Sequence, residues 1–173
     1  FYPTQAADCL HPHMSPNGLY VVFESASELT LDPNPPIGPP EAYPGRINLF
    51  WIDLTSDPLT VNRVGGIELD GDMTHASVSD NGRIAFQTDA PIDGSPATGG
   101  SDQQVYVFDL FGSTYSLISH QQGVPGTPGD RDSTLPQISS DGNFVAFQSF
   151  ATNLTPEANP NLPTQSTGAR RIY

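Results

Sequence analysis

Apolar and polar residues alternate in short runs along this chain, and turn-forming residues separate the runs. The alternation is clearest in five segments, residues 18–24, 48–54, 83–87, 104–110 and 143–148. A period of two places side chains on opposite faces of an extended strand, and Val, Ile, Phe and Tyr favour strands. Because 18 Pro and 16 Gly interrupt longer elements, the pattern predicts an all-β protein with many turns.

The runs belong to an internal repeat. Each copy starts with an Asp and reaches a Gly ten residues later, and the pairs are Asp8 and Gly18, Asp72 and Gly82, and Asp132 and Gly142. After each Gly comes an apolar strand that ends in a Phe, namely Phe23, Phe86 and Phe147. The Asn-Gly or Asp-Gly pair before each strand is a tight-turn signal, because Gly, Asn and Asp tolerate positive φ. Each copy is therefore predicted to begin with a hairpin whose second strand buries the Phe.

Two further strands follow in each complete copy. The pattern predicts a third strand at residues 49–54 and 105–110, and a fourth near residues 59–64 and 115–119. Tandem units of four antiparallel strands are typical of β-propeller blades. We therefore expect one partial propeller over residues 1–173, with about two and two-thirds blades. The predicted blades are residues 8–71, 72–131 and, for the incomplete third blade, 132–173.

The repeat also carries recognisable motifs. The segments SPNGLYVVFES, SDNGRIAFQT and SSDGNFVAFQS, followed in two copies by INLFWIDL and QVYVFDL, resemble the TolB-type (WD40-like) propeller repeat. The resemblance covers about residues 8–173. That repeat occurs in periplasmic scaffold proteins, in propeller domains of serine peptidases and in secreted proteins of unknown role. The resemblance therefore implies a platform rather than a particular reaction.

The net charge of the chain limits the kinds of partner that are expected. The chain has a formal net charge of -13, and its six basic residues are all Arg. A surface of this kind repels phosphate backbones, so nucleic acid is not expected as a partner. The sequence has no run of about 18 apolar residues, so no membrane span is expected. The wealth of Ser, Thr, Pro, Asn and Asp favours an extracellular or periplasmic location.

Two Asp-x-Asp pairs are candidate calcium ligands. Asp70 with Asp72, and Asp130 with Asp132, occupy the same place in successive copies. Two carboxylates of such a pair point the same way in an extended segment, and calcium prefers oxygen ligands. The alternative is that these side chains form turns by accepting hydrogen bonds from nearby backbone amides. These pairs make calcium a candidate cofactor.

A second candidate metal site lies near the start of the chain. Cys9, His11 and His13 alternate, so a regular strand would present all three on one face. His75 occupies the position of His11 in the next copy, and a neighbouring blade would bring it close. Such ligands suit zinc or copper. The alternative is that these side chains are packed or hydrogen-bonded within the fold.

The sequence favours binding over catalysis. It contains no G-x-S-x-G, H-E-x-x-H, P-loop or dinucleotide-binding motif. Variable loops at residues 25–46, 89–103 and 149–171 follow matching strands, and such loops build binding surfaces. We therefore expect a non-enzymatic interaction or structural module that presents these loops or an open sheet edge to a protein or polysaccharide. The alternative is the propeller portion of a secreted peptidase or glycosidase whose catalytic residues lie outside this segment.

The third copy of the repeat is incomplete, and this leads to a further expectation. A propeller closes with about four to eight blades, and an unpaired sheet edge promotes aggregation. The chain is thus predicted to be part of a larger polypeptide or assembly. In that setting it would associate with itself or pair with another blade-bearing chain.

Overall fold

The computed structural model describes residues 8–26, 46–66, 71–90, 92, 102–155 and 171–173, and these form three antiparallel sheets. The first sheet contains β1 (Cys9–Met14), β2 (Tyr20–Ser25), β3 (Asn48–Asp53) and β4 (Asn62–Arg63). The second contains β5 (Met73–Val78), β6 (Arg83–Thr88), β7 (Gln104–Asp109) and β8 (Thr114–Leu117). The third contains β9 (Ser133–Ile138), β10 (Val145–Ser149) and β11 (Arg171–Ile172). The predicted all-β class is confirmed.

Strand order follows chain order within the first two sheets, as in a meander. In the third sheet β10 lies between β9 and β11, which repeats the arrangement of the first three strands elsewhere. The fourth strand of the first sheet is shorter than predicted, and a 3₁₀ turn at Val64–Gly66 follows it. Gly65 in that turn has a φ of 72°, and a Cβ there would clash with the Tyr115 hydroxyl. Glycine is thus required at this position.

The hairpin turns of the three copies share one hydrogen-bond pattern. A Ser hydroxyl donates to the side-chain oxygen two residues later, and the pairs are Ser15 and Asn17, Ser79 and Asn81, and Ser139 and Asp141. The same hydroxyl accepts from a backbone N–H at the start of the next strand or directly before it, at Tyr20, Arg83 and Phe144. These bonds satisfy backbone polar groups that lie in the turn and so have no partner in the sheet. The predicted hairpins are confirmed.

Asp141 makes the third turn sensitive to acid. The Ser139 hydroxyl and the Asn143 amides donate to its carboxylate and hold the pKa of Asp141 below its ordinary value. A lowered folded-state pKa adds stability above about pH 4, and that stability is lost as the pH falls further. We expect Asp141→Asn, which matches Asn17 and Asn81 in the other turns, to weaken the fall in stability between about pH 4 and pH 2. Urea unfolding across that range is the measurement, and equal slopes for the two proteins would contradict the expectation.

The repeated Phe side chains lie in the core. Phe23, Phe86 and Phe147 are buried, and each ring stacks on a ring in the third strand of its own sheet or directly after it, at Phe50, Tyr106 and Tyr173. One cluster of buried residues includes Val22 and Leu49 of the first sheet together with Ile84 and Phe86 of the second. The first and second sheets thus share a continuous apolar core.

Consecutive sheets are also joined by two hydrogen bonds, one to an Asp side chain and one between backbone groups. We call this pair of hydrogen bonds the Asp clasp. Asp72 Oδ1 accepts a hydrogen bond of 2.9 Å from the Ile47 N–H, and the Met73 N–H donates to the Ile47 carbonyl at 2.8 Å. The third sheet repeats this contact on the second. There Asp132 Oδ1 accepts from Gln103 N at 2.8 Å, and Ser133 N donates to the Gln103 carbonyl at 2.7 Å. Each clasp joins the first strand of one sheet to the third strand of the sheet before it.

Candidate functional site

A buried carboxylate lies where the first sheet meets the second. The side chain of Glu24 is 2% exposed, and its Oε1 accepts a 2.7 Å hydrogen bond from the His75 backbone N–H. Its Oε2 forms a 2.9 Å hydrogen bond with His11 Nδ1. The rings of His11 and His75 lie nearly parallel, with centroids 6.0 Å apart. Two exposed imidazoles from neighbouring sheets thus lie beside one buried acid.

The local backbone explains this placement. A register shift follows the second residue of β1, β5 and β9, and it marks a β-bulge in each copy. The residues at the bulge have positive φ, 48° at His11, 55° at His75 and 54° at Leu135. The side chain of the residue that follows the repeated Phe then forms a hydrogen bond with the bulge of the next sheet. Gln87 Oε1 accepts from the Leu135 N–H at 2.8 Å, just as Glu24 accepts from His75.

The bulge corrects the prediction that Cys9, His11 and His13 share one face. Cys9 pairs with Ser25, and His13 pairs with Val22. Ser25 and Val22 are three residues apart on a regular strand, so they lie on opposite faces of the sheet. Their partners Cys9 and His13 therefore also lie on opposite faces, because one extra residue at a bulge reverses the alternation.

Of the four predicted transition-metal ligands, the structure brings together His11 and His75. Cys9 is exposed, whereas His13 Nδ1 accepts a 3.2 Å hydrogen bond from the Val78 N–H. Partial burial lowers the pKa of His13. Within the described part of the chain, no group of three or more His, Cys, Asp or Glu side chains is placed to hold a metal ion. Transition-metal binding at these residues stays a prediction.

The predicted calcium ligands make protein contacts where they are described. Asp72 and Asp132 form the Asp clasps, and Asp70 lies outside the described residues. Partial burial raises the pKa of Asp130, but hydrogen bonds from the Thr152 hydroxyl and N–H outweigh it and hold that pKa below its ordinary value. These side chains accept from backbone amides, as in the alternative interpretation, but the donors lie 22 to 29 residues away along the chain rather than in a local turn. Calcium binding stays a prediction.

A cleft between the second and third sheets was not predicted from the sequence. It has a volume of about 370 Å³, and its apolar lining includes Val107, Ile118 and Val145. Arg83 also lines it, donating through Nε to Asp109 at 3.3 Å and through Nη1 to the Gly142 carbonyl at 3.1 Å. The only sequence signal was Arg83 itself, which stands where the other copies have Tyr20 and Phe144.

Most of the predicted binding loops lie outside the described residues, at 27–45, 93–101 and 156–170. In the part that is described, no helix has the length and apolar character needed to cross a membrane. No protein-family model matches the chain, and no curated protein matches it either. The proposed function therefore rests on the geometry of the sheets and on the contacts between them.

Proposed function

We propose that the chain is a run of TolB-type β-propeller blades that acts as a non-enzymatic interaction or structural module. The observation that carries this proposal is the repetition of one interface. The Asp clasp and the side-chain bond to the bulge both join the first sheet to the second and the second to the third. When one face of a unit contacts a different face of the next unit, the same interface can add further units in the same direction. A propeller has this construction.

The outer face of the third sheet supports self-association. Phe144 is 73% exposed, whereas its equivalent Tyr20 is 9% exposed and packs edge-on against Phe111 of the second sheet. In the proposed assembly, a sheet from another copy or another blade-bearing chain covers Phe144 in the same way. Burial of an aromatic side chain supplies the driving force.

The module would present its loops or its open edge to a protein or a polysaccharide. An acidic surface with a net charge of -13 suits cationic or neutral polar partners. Composition favours an extracellular or periplasmic setting. No contact among the described residues favours the alternative of a hydrolase propeller, which stays a prediction.

Sedimentation velocity at micromolar concentrations tests the proposal. We expect the chain to sediment as a concentration-dependent oligomer, and Phe144→Glu to shift it toward monomer, because a charge cannot be buried in the interface without cost. Leu59→Glu is the matched control, since Leu59 is 59% exposed and lies in a turn of the first sheet. A stable monomer at all concentrations, or equal effects of the two variants, would contradict the proposal.

A further inference from the structure

Glu24 is a buried acid whose negative charge the sheet junction does not require. Its Oε1 accepts from the His75 N–H, and in the next junction Gln87 Oε1 makes the equivalent bond to the Leu135 N–H. A neutral amide is therefore sufficient for the backbone contact. Burying a carboxylate costs more free energy than burying an amide, and the side chain of Glu24 is only 2% exposed. The carboxylate at this position thus indicates a second role.

That second role involves the ring of His11. Oε2 of Glu24 lies 2.9 Å from His11 Nδ1. A carboxylate accepts hydrogen bonds and does not donate them, so Nδ1 carries the proton and Nε2 of the neutral ring keeps its lone pair. Histidines that bind metal ions commonly have this arrangement, in which a carboxylate fixes the ring and its tautomer while the other nitrogen binds the metal. Glu24 thus prepares His11 Nε2 as a ligand.

His75 supplies a second imidazole beside the first. Its Nδ1 lies 3.2 Å from the Thr74 hydroxyl, and among the described residues neither His11 Nε2 nor His75 Nε2 makes a hydrogen bond. The two ring centroids are 6.0 Å apart. Two imidazoles that each bind one zinc ion at about 2.0–2.1 Å have centroids roughly 5–6 Å apart. Both rings are exposed, so small side-chain rotations can direct both Nε2 atoms to one ion.

The β-bulges position the two histidines. His11 and His75 lie at the bulge in the first strand of their sheets, with φ of 48° and 55°, and a bulge redirects the side chain that it carries. At the junction of the second and third sheets the same position is Leu135, with a φ of 54°. Within the described residues, paired imidazoles are thus a feature of the first junction, and the backbone at this position also accepts Leu.

We propose that His11 and His75 form a two-histidine site for a divalent transition-metal ion such as zinc, with Glu24 as the positioning residue for His11. The ion binds Nε2 of each ring, and water fills the other positions of its tetrahedral shell. Imidazole nitrogens suit zinc, copper and nickel. The site does not use His13, because His13 Nδ1 accepts from the Val78 N–H and Nε2 of that ring therefore carries the proton. The inference does not depend on the proposed function, since it uses only contacts between the first two sheets.

Calorimetric titration of the full chain with Zn²⁺ tests the site, with excess Mg²⁺ present to occupy the acidic surface. All proteins carry Cys9→Ser, which removes an exposed thiol. We expect one zinc ion to bind per chain, and His75→Leu to abolish this binding because a single imidazole remains. His120→Leu is the matched control, since it removes an imidazole elsewhere, and it should leave the zinc affinity unchanged. No binding, binding that survives His75→Leu, or equal loss in the control would each overturn the inference.

Glu24→Gln tests the positioning role separately. The variant keeps an acceptor for the His75 N–H but places an amide NH₂ group opposite His11 Nδ1. Because that group donates, Nδ1 must accept and Nε2 must carry the proton, so Nε2 can no longer bind the metal. The opposite orientation of the amide is disfavoured, since its NH₂ group would then face the His75 N–H donor.

We expect Glu24→Gln to weaken zinc binding by about 10–100-fold, while urea unfolding without metal shows most of the stability retained. Nitrogen NMR of the His11 ring should place the proton on Nδ1 in the parent chain and on Nε2 in the variant. A purely structural role for Glu24 predicts no change in the tautomer and no selective loss of zinc binding. Equal zinc affinity in the two proteins, or weaker binding without the change of tautomer, would overturn the inference.

Discussion

Truncation of Phe86 to Ala is expected to lower the free energy of unfolding by about 3–5 kcal/mol. Phe86 is 0% exposed and belongs to the core cluster shared by the first two sheets. Its ring lies 6.2 Å from that of Tyr106 and 6.3 Å from that of Tyr115, measured between centroids. Removing it leaves a cavity bounded by aromatic rings on strands of the same sheet, which cannot collapse without disturbing strand pairing.

Phe144→Ala is the matched control for this measurement. Phe144 is the same residue type in the third copy, but it is largely exposed, and surface truncations usually change stability by no more than about 0.5 kcal/mol. Because the proposed assembly would cover Phe144, urea unfolding of both variants is measured at a protein concentration at which the chain sediments as a monomer, where it separates burial from residue type. A loss under about 1 kcal/mol for Phe86→Ala would contradict the core assignment.

The second large effect is expected at Glu24. Glu24→Ala removes the acceptor for the His75 backbone N–H in a partly buried hydrogen bond, and the loss is expected at about 1 kcal/mol or more, since a fully buried unsatisfied donor costs about 1–3 kcal/mol. Glu24→Gln keeps an amide oxygen at the same place, as Gln87 provides for Leu135 in the next junction. We therefore expect Glu24→Gln to retain most of the stability that Glu24→Ala loses.

Glu24 accepts a hydrogen bond from the His75 N–H and also pairs with His11, and these two contacts are expected to contribute differently to stability. The His11 side chain is 66% exposed, so its pairing with the carboxylate contributes about 0–1 kcal/mol. Thermal or urea unfolding of the two variants measures the difference directly. If Glu24→Gln were as destabilised as Glu24→Ala, the carboxylate charge rather than the hydrogen bond to His75 would be the stabilising feature.

Features that depend on local chemistry could be predicted from the sequence. The Ser-x-Asn-Gly and Ser-x-Asp-Gly turns form because each Ser hydroxyl bonds a side chain two residues away. Alternation placed β2, β6 and β7 to within one or two residues of their observed starts and ends. The repeated alignment also identified the buried Phe in each copy, because equivalent positions of a repeat meet equivalent neighbours.

The contacts between polar groups on different sheets could not be predicted from the sequence, because they depend on how the sheets pack. Asp72 bonds Ile47, 25 residues away, and Glu24 bonds His75, 51 residues away, so neither contact follows from spacing along the chain. The bulge in β1 reversed the face of His13 relative to Cys9, since a single extra residue inverts the period of two. The cleft is lined by Val107 from the second sheet and Val145 from the third, which only the packing of the two sheets brings together.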